Sequence, residues 1–286
     1  MKQIRAMFIG AHPDDCDIRC GGLALKYARA GHKVKFLSLC NGNGGHQTLS
    51  PTELAKRRRG ESLAVAKFAG LEYDVWEDSD DCVLFADLES RARLVRAIRE
   101  FAPDILFSCR PNDYHADHRN AAVLVQDASY LLTVPHYCAD APAMKNMPVI
   151  MHYYDHFKEP IFKPTVVIRT DDVLDDKIEM LSFHESQMFE WLAYEKGLLD
   201  KVPEGREARI AWLHEPRVDR DKPFDLSLIQ TNKTGMQYEY REARPAALYK
   251  DKLIERYGTE GEKILFAEAY SICEYGSPYR DELIPF

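Results

Sequence analysis

The sequence lacks the long apolar runs of a membrane protein and the cysteine patterns of a disulfide-bonded one. No apolar stretch in its 286 residues approaches the roughly 20 residues that a membrane-spanning helix needs. The seven cysteines are scattered, odd in number and without a Cys-x-x-Cys pair, so we expect reduced and mostly buried thiols. Residues 1–20 also lack the apolar core of a signal peptide. These absences predict a cytoplasmic protein with no membrane span.

An excess of positive charge is also missing. Asp and Glu (46) outnumber Lys and Arg (38), which leaves a formal net charge of −8. Such a chain repels the phosphates of nucleic acids and an anionic membrane surface, so we expect neither as a partner. Hydrophobic residues make up 45% of the chain and charged residues 29%, which is typical of a globular protein with a sizeable core.

The first predicted strand is not followed by the Gly-x-Gly-x-x-Gly fingerprint of dinucleotide-binding enzymes. The apolar run that ends at Gly10 leads instead into Ala11-His12-Pro13-Asp14-Asp15. An imidazole and two carboxylates within four residues suit a zinc or iron site, and they argue against a nucleotide-binding oxidoreductase. The alternative is an ordinary polar loop, in which the proline sets a turn and an aspartate caps the next helix.

A second cluster of the same residue types follows the strand predicted at 104–108. His115, Asp117 and His118 lie between that strand and a helix. If both strands belong to one parallel sheet, the two clusters leave it at the same edge, because crossovers between parallel strands are right-handed. That edge is where open α/β sheets bind their ligands. Two such clusters at one edge therefore predict a metal site.

The first 134 residues alternate between strand and helix four times. Strands are predicted at 4–10, 33–39, 73–76 and 104–108, and helices from the Gly21-Gly22 pair, at 50–69, at 87–101 and after the histidine cluster. This alternation predicts an α/β fold, a three-layer Rossmann-like sandwich on a mostly parallel sheet. The later pattern is less regular, with strands expected at 149–153, 165–168 and 263–272, helices at 171–187 and 246–257, and no element assigned between 189 and 245.

Taken in order, the motifs resemble the LmbE-like, or PIG-L, family of metal-dependent N-deacetylases. The resemblance covers roughly residues 4–190 and includes Arg58-Arg59-Gly60-Glu61, Asp81-Cys82-Val83-Leu84 and His184-Glu185-Ser186-Gln187. The sequence departs from the family at Cys16, where an acid is usual, and at Asp113, where some members have tyrosine. The resemblance implies a single deacetylase domain over 1–286, with a Rossmann-like core at 1–134 and pocket-forming and C-terminal elements at 135–286.

The residues also suggest how a metal would be held. A catalytic metal needs three protein ligands and an open position for water. His12, Asp15 and His118 supply two imidazoles and one carboxylate, a set that agrees with the ligands of the family. Asp14 is adjacent to a ligand, so we expect it to act as the general base.

Four more residues complete the predicted site. His115 is expected to donate a hydrogen bond to the developing oxyanion or a proton to the leaving amine, and Asp117 to orient a neighbouring histidine. The resemblance alone implies that Arg58 and Asp81 contact the substrate.

The predicted reaction is removal of an acetyl group from an N-acetylated amino sugar or its conjugate, with Zn²⁺ as the metal and Fe²⁺ as the alternative. The sugar substrate follows from the resemblance, and it is the expected small-molecule partner; assembly into a homo-oligomer stays open. One alternative is a metal-dependent amidohydrolase that acts on a non-sugar amide. Another is a non-enzymatic metal protein whose ligand shell is closed, with Cys16 as the additional ligand.

Overall fold

A computed structural model describes residues 2–232 and 234–286 of the protein. Seven strands form one sheet in the order β3-β2-β1-β4-β5-β7-β6. They are β1 (Arg5–Gly10), β2 (Lys33–Ser38), β3 (Glu72–Val75), β4 (Ile105–Ser108), β5 (Val149–Tyr153), β6 (Val166–Arg169) and β7 (Ala267–Ile272). β7 runs antiparallel to β5 and β6, and the pairs that join β1 to β5 are parallel. The predicted mostly parallel α/β sheet is confirmed.

Helices cover both faces of this sheet. The first four are α1 (Asp15–Arg29), α2 (Pro51–Ala69), α3 (Leu88–Phe101) and α4 (Ala116–Leu131). The first two pack against each other, and so do the second two, as right-handed crossovers on opposite sides of β1 require. The chain winds outward in opposite directions from β1 and β4, so the loops after these strands separate and leave a crevice between them.

The core is built from the buried central strands. Phe8 of β1 stacks on Phe107 of β4 with ring centroids 4.5 Å apart, and it meets Phe36 of β2 edge-on at 5.4 Å. The aromatic rings lock the register of the three strands, because each ring fills the space between two neighbours. The loops that follow β1 and β4 are therefore anchored on a rigid base.

The start of α1 differs from the prediction. The helix begins at Asp15, so Gly21 and Gly22 lie in its interior. A Cβ atom on Gly21 would lie 2.5 Å from the Met180 side chain, and one on Gly22 would lie 2.8 Å from Thr170. The two glycines therefore permit close packing of later elements against α1, and they do not mark a helix start.

The region after residue 170 differs most from the prediction. The helix expected over 171–187 ends early: α5 is Leu174–Leu181, and a π-helical segment follows at Ser186–Trp191. The later helices are α6 (Leu192–Glu195), α7 (Arg206–Leu213), α8 (Leu228–Thr231), α9 (Tyr238–Leu248) and α10 (Lys250–Tyr257). The helix expected over 246–257 is thus interrupted at Tyr249. The last strand starts at Ala267, later than expected, because Gly258–Lys263 forms a 3₁₀ turn.

A buried ionic cluster attaches this later region to the first half of the sheet. Lys177 donates hydrogen bonds to Glu242 at 2.6 Å and to Glu268 at 2.8 Å, and its side chain is 1% exposed. Glu268 also accepts from the backbone N–H groups of Gly22 and Leu23 at 2.8 and 2.9 Å. We call Lys177, Glu242 and Glu268 the lysine cluster.

Across the described ranges, no helix has both the length and the apolar composition needed to cross a bilayer.

Candidate metal centre

The loop after β1 is a tight turn that places three polar side chains at the carboxyl edge of the sheet. Asp15 begins α1, and its Oδ2 accepts hydrogen bonds from the backbone N–H groups of Ala11 and His12, both at 2.9 Å. Asp14 adopts φ 140° and ψ −21°, a backbone conformation that costs free energy in any residue with a side chain. Strained backbone of this kind is concentrated at functional sites.

The loop after β4 delivers the second cluster to the same edge. His115 caps the N-terminus of α4, where its Nδ1 accepts a hydrogen bond from the backbone N–H of Asp117 at 3.1 Å. Asp117 and His118 occupy the first turn of that helix. The helix start therefore fixes the direction of both residues.

The two loops bring His12, Asp15 and His118 together. One donor atom from each lies within 4.8 Å of the others. The Nδ1 atom of His12 is 3.3 Å from the Nε2 atom of His118 and 3.7 Å from Asp15 Oδ2, and Asp15 Oδ1 is 3.3 Å from His118 Nε2. We call these three residues the metal cluster.

Two further carboxylates hold the outer nitrogens of the two histidines. His12 Nε2 donates to Asp117 Oδ2 at 3.1 Å, and His118 Nδ1 donates to Asp113 Oδ1 at 3.0 Å. In its neutral form, each imidazole is thereby held in the tautomer whose inner nitrogen is unprotonated and directed at the other ligands. This arrangement is typical of metal-binding histidines. The donor set and its outer partners therefore fit a divalent metal.

Two other groups of potential ligands overlap with this one. His12, His115 and Asp117 form one, and His12, Cys40 and Asp81 form the other. Asp117 already accepts from the backbone N–H groups of Cys82 and Leu84, at 2.6 and 3.2 Å. Burial raises the pKa of the Cys40 thiol, which disfavours the thiolate that binds metals. The metal cluster is the best-formed set of the three.

The charges in the metal cluster favour a cation. Burial alone would lower the pKa of His118, but Asp15 and Asp113 outweigh it and raise that pKa to about 10. Burial would likewise raise the pKa of Asp15, but His118 and His12 hold it well below its usual range. The carboxylates thus attract positive charge so strongly that they hold protons on the imidazoles. A divalent cation would supply that charge instead.

Asp14 lies beside the metal cluster in a different environment. Burial raises the pKa of Asp14 to about 6, although Arg58, 3.2 Å away, opposes this rise. Arg58 is itself only 2% exposed, and its guanidinium donates to the carbonyl oxygens of Pro13 and Gly42. Arg58 therefore supports the turn that carries Asp14.

Asp81 also contacts the protein's own backbone. It accepts from the N–H groups of Gly42 and Gly44 at 2.8 and 3.0 Å, and its Oδ1 is 3.9 Å from His12 Nε2. These bonds hold the glycine-rich loop after β2 beside the metal cluster. That Arg58 and Asp81 bind the substrate stays a prediction.

Comparison with known proteins gives the family. The PIG-L family, described as GlcNAc-PI de-N-acetylase, matches residues 7–129. Diacetylchitobiose deacetylase of Thermococcus kodakarensis is 30% identical over 192 residues, which cover 64% of this chain and 70% of that protein. The chain belongs to the PIG-L family. The family predicted from the motifs is thereby confirmed.

Solved structures share the fold of this PIG-L chain. N,N′-diacetylchitobiose deacetylase from Pyrococcus horikoshii matches with a TM-score of 0.67 at 21% identity, over 96% of this chain and 85% of that one. GalB, the 4-carboxy-2-hydroxymuconate hydratase of Pseudomonas putida, matches with a TM-score of 0.68 at 18% identity, over 98% of this chain and 99% of that one. At these identities the likeness establishes the fold, and the chemistry has to be argued from the site.

Residues of the 184–187 motif support the glycine-rich loop. Glu61 accepts from the backbone N–H of Ser186 at 2.8 Å and from its hydroxyl at 2.7 Å. Gln187 donates to the carbonyl of Gly45 at 3.1 Å. Both Ser186 and Gln187 belong to the π-helical segment, a rare element that is frequent at functional sites. The sequence did not reveal this contact, since a π-helix has no local sequence signature.

The second departure from the family, Asp113, proves to be the partner of His118 described above. Its position in the loop five residues before His118 was the signal in the sequence that could have indicated this pairing.

Cys16, the first departure, is fully buried and belongs to none of the ligand groups found among residues 2–232 and 234–286. Burial raises the pKa of its thiol well above the ordinary value. The interpretation of Cys16 as a closing ligand is therefore unsupported.

Proposed function

We propose that the protein is a metal-dependent deacetylase that hydrolyses the acetyl amide of an N-acetylated amino sugar or its conjugate. Water adds to the acetyl carbon, the C–N bond breaks, and acetate and a free amine are the products. The observation that carries the proposal is the metal cluster, with Asp14 beside it, in a chain of the PIG-L family. The relative that is named a diacetylchitobiose deacetylase supports the sugar substrate.

His12, Asp15 and His118 would hold the metal. When bound, a divalent metal supplies Lewis-acid activation of water and of the amide carbonyl. We propose Zn²⁺, with Fe²⁺ as the alternative, because two imidazoles and one carboxylate suit both ions.

Asp14 would take the proton from the attacking water. A base works best when its pKa lies near the pH at which the enzyme operates, and burial raises the pKa of Asp14 to about 6. The neighbouring Arg58 opposes full protonation. Asp14 would therefore be ionised at neutral pH and yet basic enough to accept a proton.

His115 would donate to the reacting group. Because its Nδ1 accepts from the backbone N–H of Asp117, the neutral ring carries its proton on Nε2. Burial lowers the pKa of His115, and the charges of His12 and His118 lower it further, so the neutral ring is favoured. The N–H donor of this tautomer favours a hydrogen bond to the developing oxyanion over proton transfer to the amine.

The proposal is tested by acetate release from the zinc-loaded protein. N-acetylglucosamine and N,N′-diacetylchitobiose are compared with N-acetylated amino acids at equal concentrations. We expect acetate from the sugars, no acetate after chelation of the metal, and a loss of at least about 10²-fold in kcat for Asp14→Asn with the metal retained.

Two outcomes would contradict the proposal. Acetate released only from the amino acids would favour the amidohydrolase alternative. Activity of Asp14→Asn within a few-fold of the parent would show that another residue activates the water.

A further inference from the structure

Trp191, the last residue of the π-helical segment, is a partly exposed indole that borders the glycine-rich loop. A Cβ atom on Gly45 would lie 3.3 Å from both Cδ1 and Nε1 of Trp191, so the edge of the indole lies directly against the backbone of that glycine. Among residues 2–232 and 234–286, no acceptor takes a hydrogen bond from its Nε1–H group. This donor is therefore available to a ligand.

The glycine-rich loop leads from Trp191 to the metal cluster. Gly44 is exposed and donates its backbone N–H to Asp81 at 3.0 Å, and Asp81 Oδ1 is 3.9 Å from His12 Nε2. A Cβ atom on Gly44 would lie 2.9 Å from the Cβ atom of Asp81. Because Gly44 and Gly45 have no side chains, the loop presents only backbone between Asp81 and the indole. A ligand held at the metal cluster can therefore extend over this backbone to Trp191.

Polar contacts fix the segment that carries Trp191. Gln187 donates to a carbonyl of the glycine-rich loop at 3.1 Å. Glu190 accepts two hydrogen bonds from Arg57, at 2.8 and 2.6 Å, and its Oε2 lies 2.7 Å from Nε2 of His46. The indole is therefore held against the loop before a ligand arrives, which lowers the entropic cost of binding.

A second aromatic ring extends this surface outward. Tyr194 is 52% exposed, and its ring is tilted by only 26° from the indole of Trp191, with ring centroids 5.9 Å apart. Aromatic rings beside water suit a ligand with both apolar and polar faces, and the indole N–H suits a hydroxyl group. A sugar ring has both features, since C–H groups form its faces and hydroxyl groups its rim. Apolar walls with a few polar donors are typical of sites for small molecules.

We propose that Trp191 binds a second sugar ring of the substrate, linked to the N-acetylated sugar that is held at the metal cluster. This second ring would lie over Gly44 and Gly45 and against the indole, with the Nε1–H group donating to one of its hydroxyls. The inference rests on the proposed function and narrows its substrate to a disaccharide or a longer oligosaccharide.

The test compares one sugar ring with two. Steady-state kinetics of the zinc-loaded protein are measured with N-acetylglucosamine and N,N′-diacetylchitobiose. We expect kcat/KM of the parent to be at least about tenfold higher for the disaccharide, because an aromatic contact contributes about that factor. Trp191→Leu, which keeps an apolar side chain without an aromatic ring, should lose about tenfold of this preference, mainly through KM. Trp191→Phe should recover part of it.

Trp212→Leu is the matched control. Trp212 is also partly exposed, and its ring centroid lies 6.2 Å from that of Phe189 in the π-helical segment. This variant removes an indole from the packing of the same segment, and it should keep the preference of the parent. Equal kcat/KM for the two sugars in the parent, an unchanged preference in Trp191→Leu, or the same loss in Trp212→Leu would overturn the inference.

Tryptophan emission separates this inference from the proposed function. Chitobiose, the fully deacetylated disaccharide, and glucosamine are titrated into the zinc-loaded parent and into Trp191→Phe. A sugar ring that covers the indole excludes water from it, so chitobiose should shift the emission of the parent to shorter wavelength, and glucosamine should not. Loss of this shift in Trp191→Phe supports the second-ring site even if no sugar is deacetylated. No shift with chitobiose, or a shift that persists in Trp191→Phe, would refute it.

Discussion

The metal cluster and the lysine cluster are both buried groups of charged side chains, but they are satisfied in different ways. In the lysine cluster, Lys177 provides the cation, and the carboxylates of Glu242 and Glu268 close around it. In the metal cluster, outer carboxylates fix the histidines, and the inner donor atoms of His12 and His118 face each other at 3.3 Å. A cluster that contains its own cation holds the fold together, whereas one whose donors converge on a point needs a cation from outside.

The strongest test of this difference is His118→Ala. Removal of one of three ligands should release most of the metal and abolish acetate release, because a metal held by two side chains exchanges readily. Elemental analysis of the purified variant gives the metal content. His136→Ala is the control, since His136 is exposed and belongs to no ligand group among the described residues. Full metal content in His118→Ala would remove His118 from the ligand set.

The lysine cluster should respond in stability and not in metal content. Lys177→Met leaves Glu242 and Glu268 buried without their cation, and we expect a loss of about 3–5 kcal/mol in the free energy of unfolding. Chemical denaturation measures this loss, and elemental analysis of the folded variant should give the metal content of the parent. A loss below about 1 kcal/mol would mean that the cluster does not stabilise the fold.

The outer carboxylates of the metal cluster should show a smaller effect. Asp113→Ala removes the acceptor that orients His118, so metal affinity should fall by about 10–100-fold while the fold is retained. Competition with a chelator of known affinity measures this change. Asp113→Asn keeps an acceptor oxygen and should recover part of the affinity. Unchanged affinity in the alanine variant would show that Asp113 has no role in metal binding.

The smallest effect should be the pH dependence that Glu242 gives to stability. Burial raises the pKa of Glu242 from 4.5 to about 7 in the folded protein, with Lys177 opposing this rise. The folded protein therefore holds this proton more tightly than the unfolded chain does. The resulting stabilisation is complete below pH 4.5 and is lost as the pH rises through about 7.

Glu242→Gln removes this ionisation. Relative to the parent, the variant should gain stability between pH 5 and pH 8, by an amount on the order of 1 kcal/mol. Unfolding by urea at several pH values measures the difference. A difference between variant and parent that is constant with pH would show that Glu242 does not titrate in this range.

The sequence was most informative about features of the structure that a few neighbouring residues determine. His12, Asp14 and Asp15 follow a buried strand directly, and parallel topology is enough to bring them to the edge where His118 emerges. Gly21 and Gly22 were misinterpreted because their partners, Met180 and Thr170, lie about 150 residues away in the chain. A local pattern cannot distinguish a glycine at a helix end from one required by distant packing.

The same reason explains why the π-helical segment was not predicted, because its contacts with Glu61 and Gly45 join it to distant parts of the chain. Features that join distant parts of the chain become visible only in three dimensions.

The position of β7 has a consequence for protein synthesis. This strand comes last among the seven, yet it lies between β5 and β6, and among the described strands it is the sole partner of β6. While a ribosome is still translating residues 170–266, one edge of the buried strand β5 has no partner. Unpaired apolar edges promote aggregation of nascent chains. The sheet is therefore complete only after β7 has been synthesised, and until then the open edge of β5 exposes the chain to aggregation.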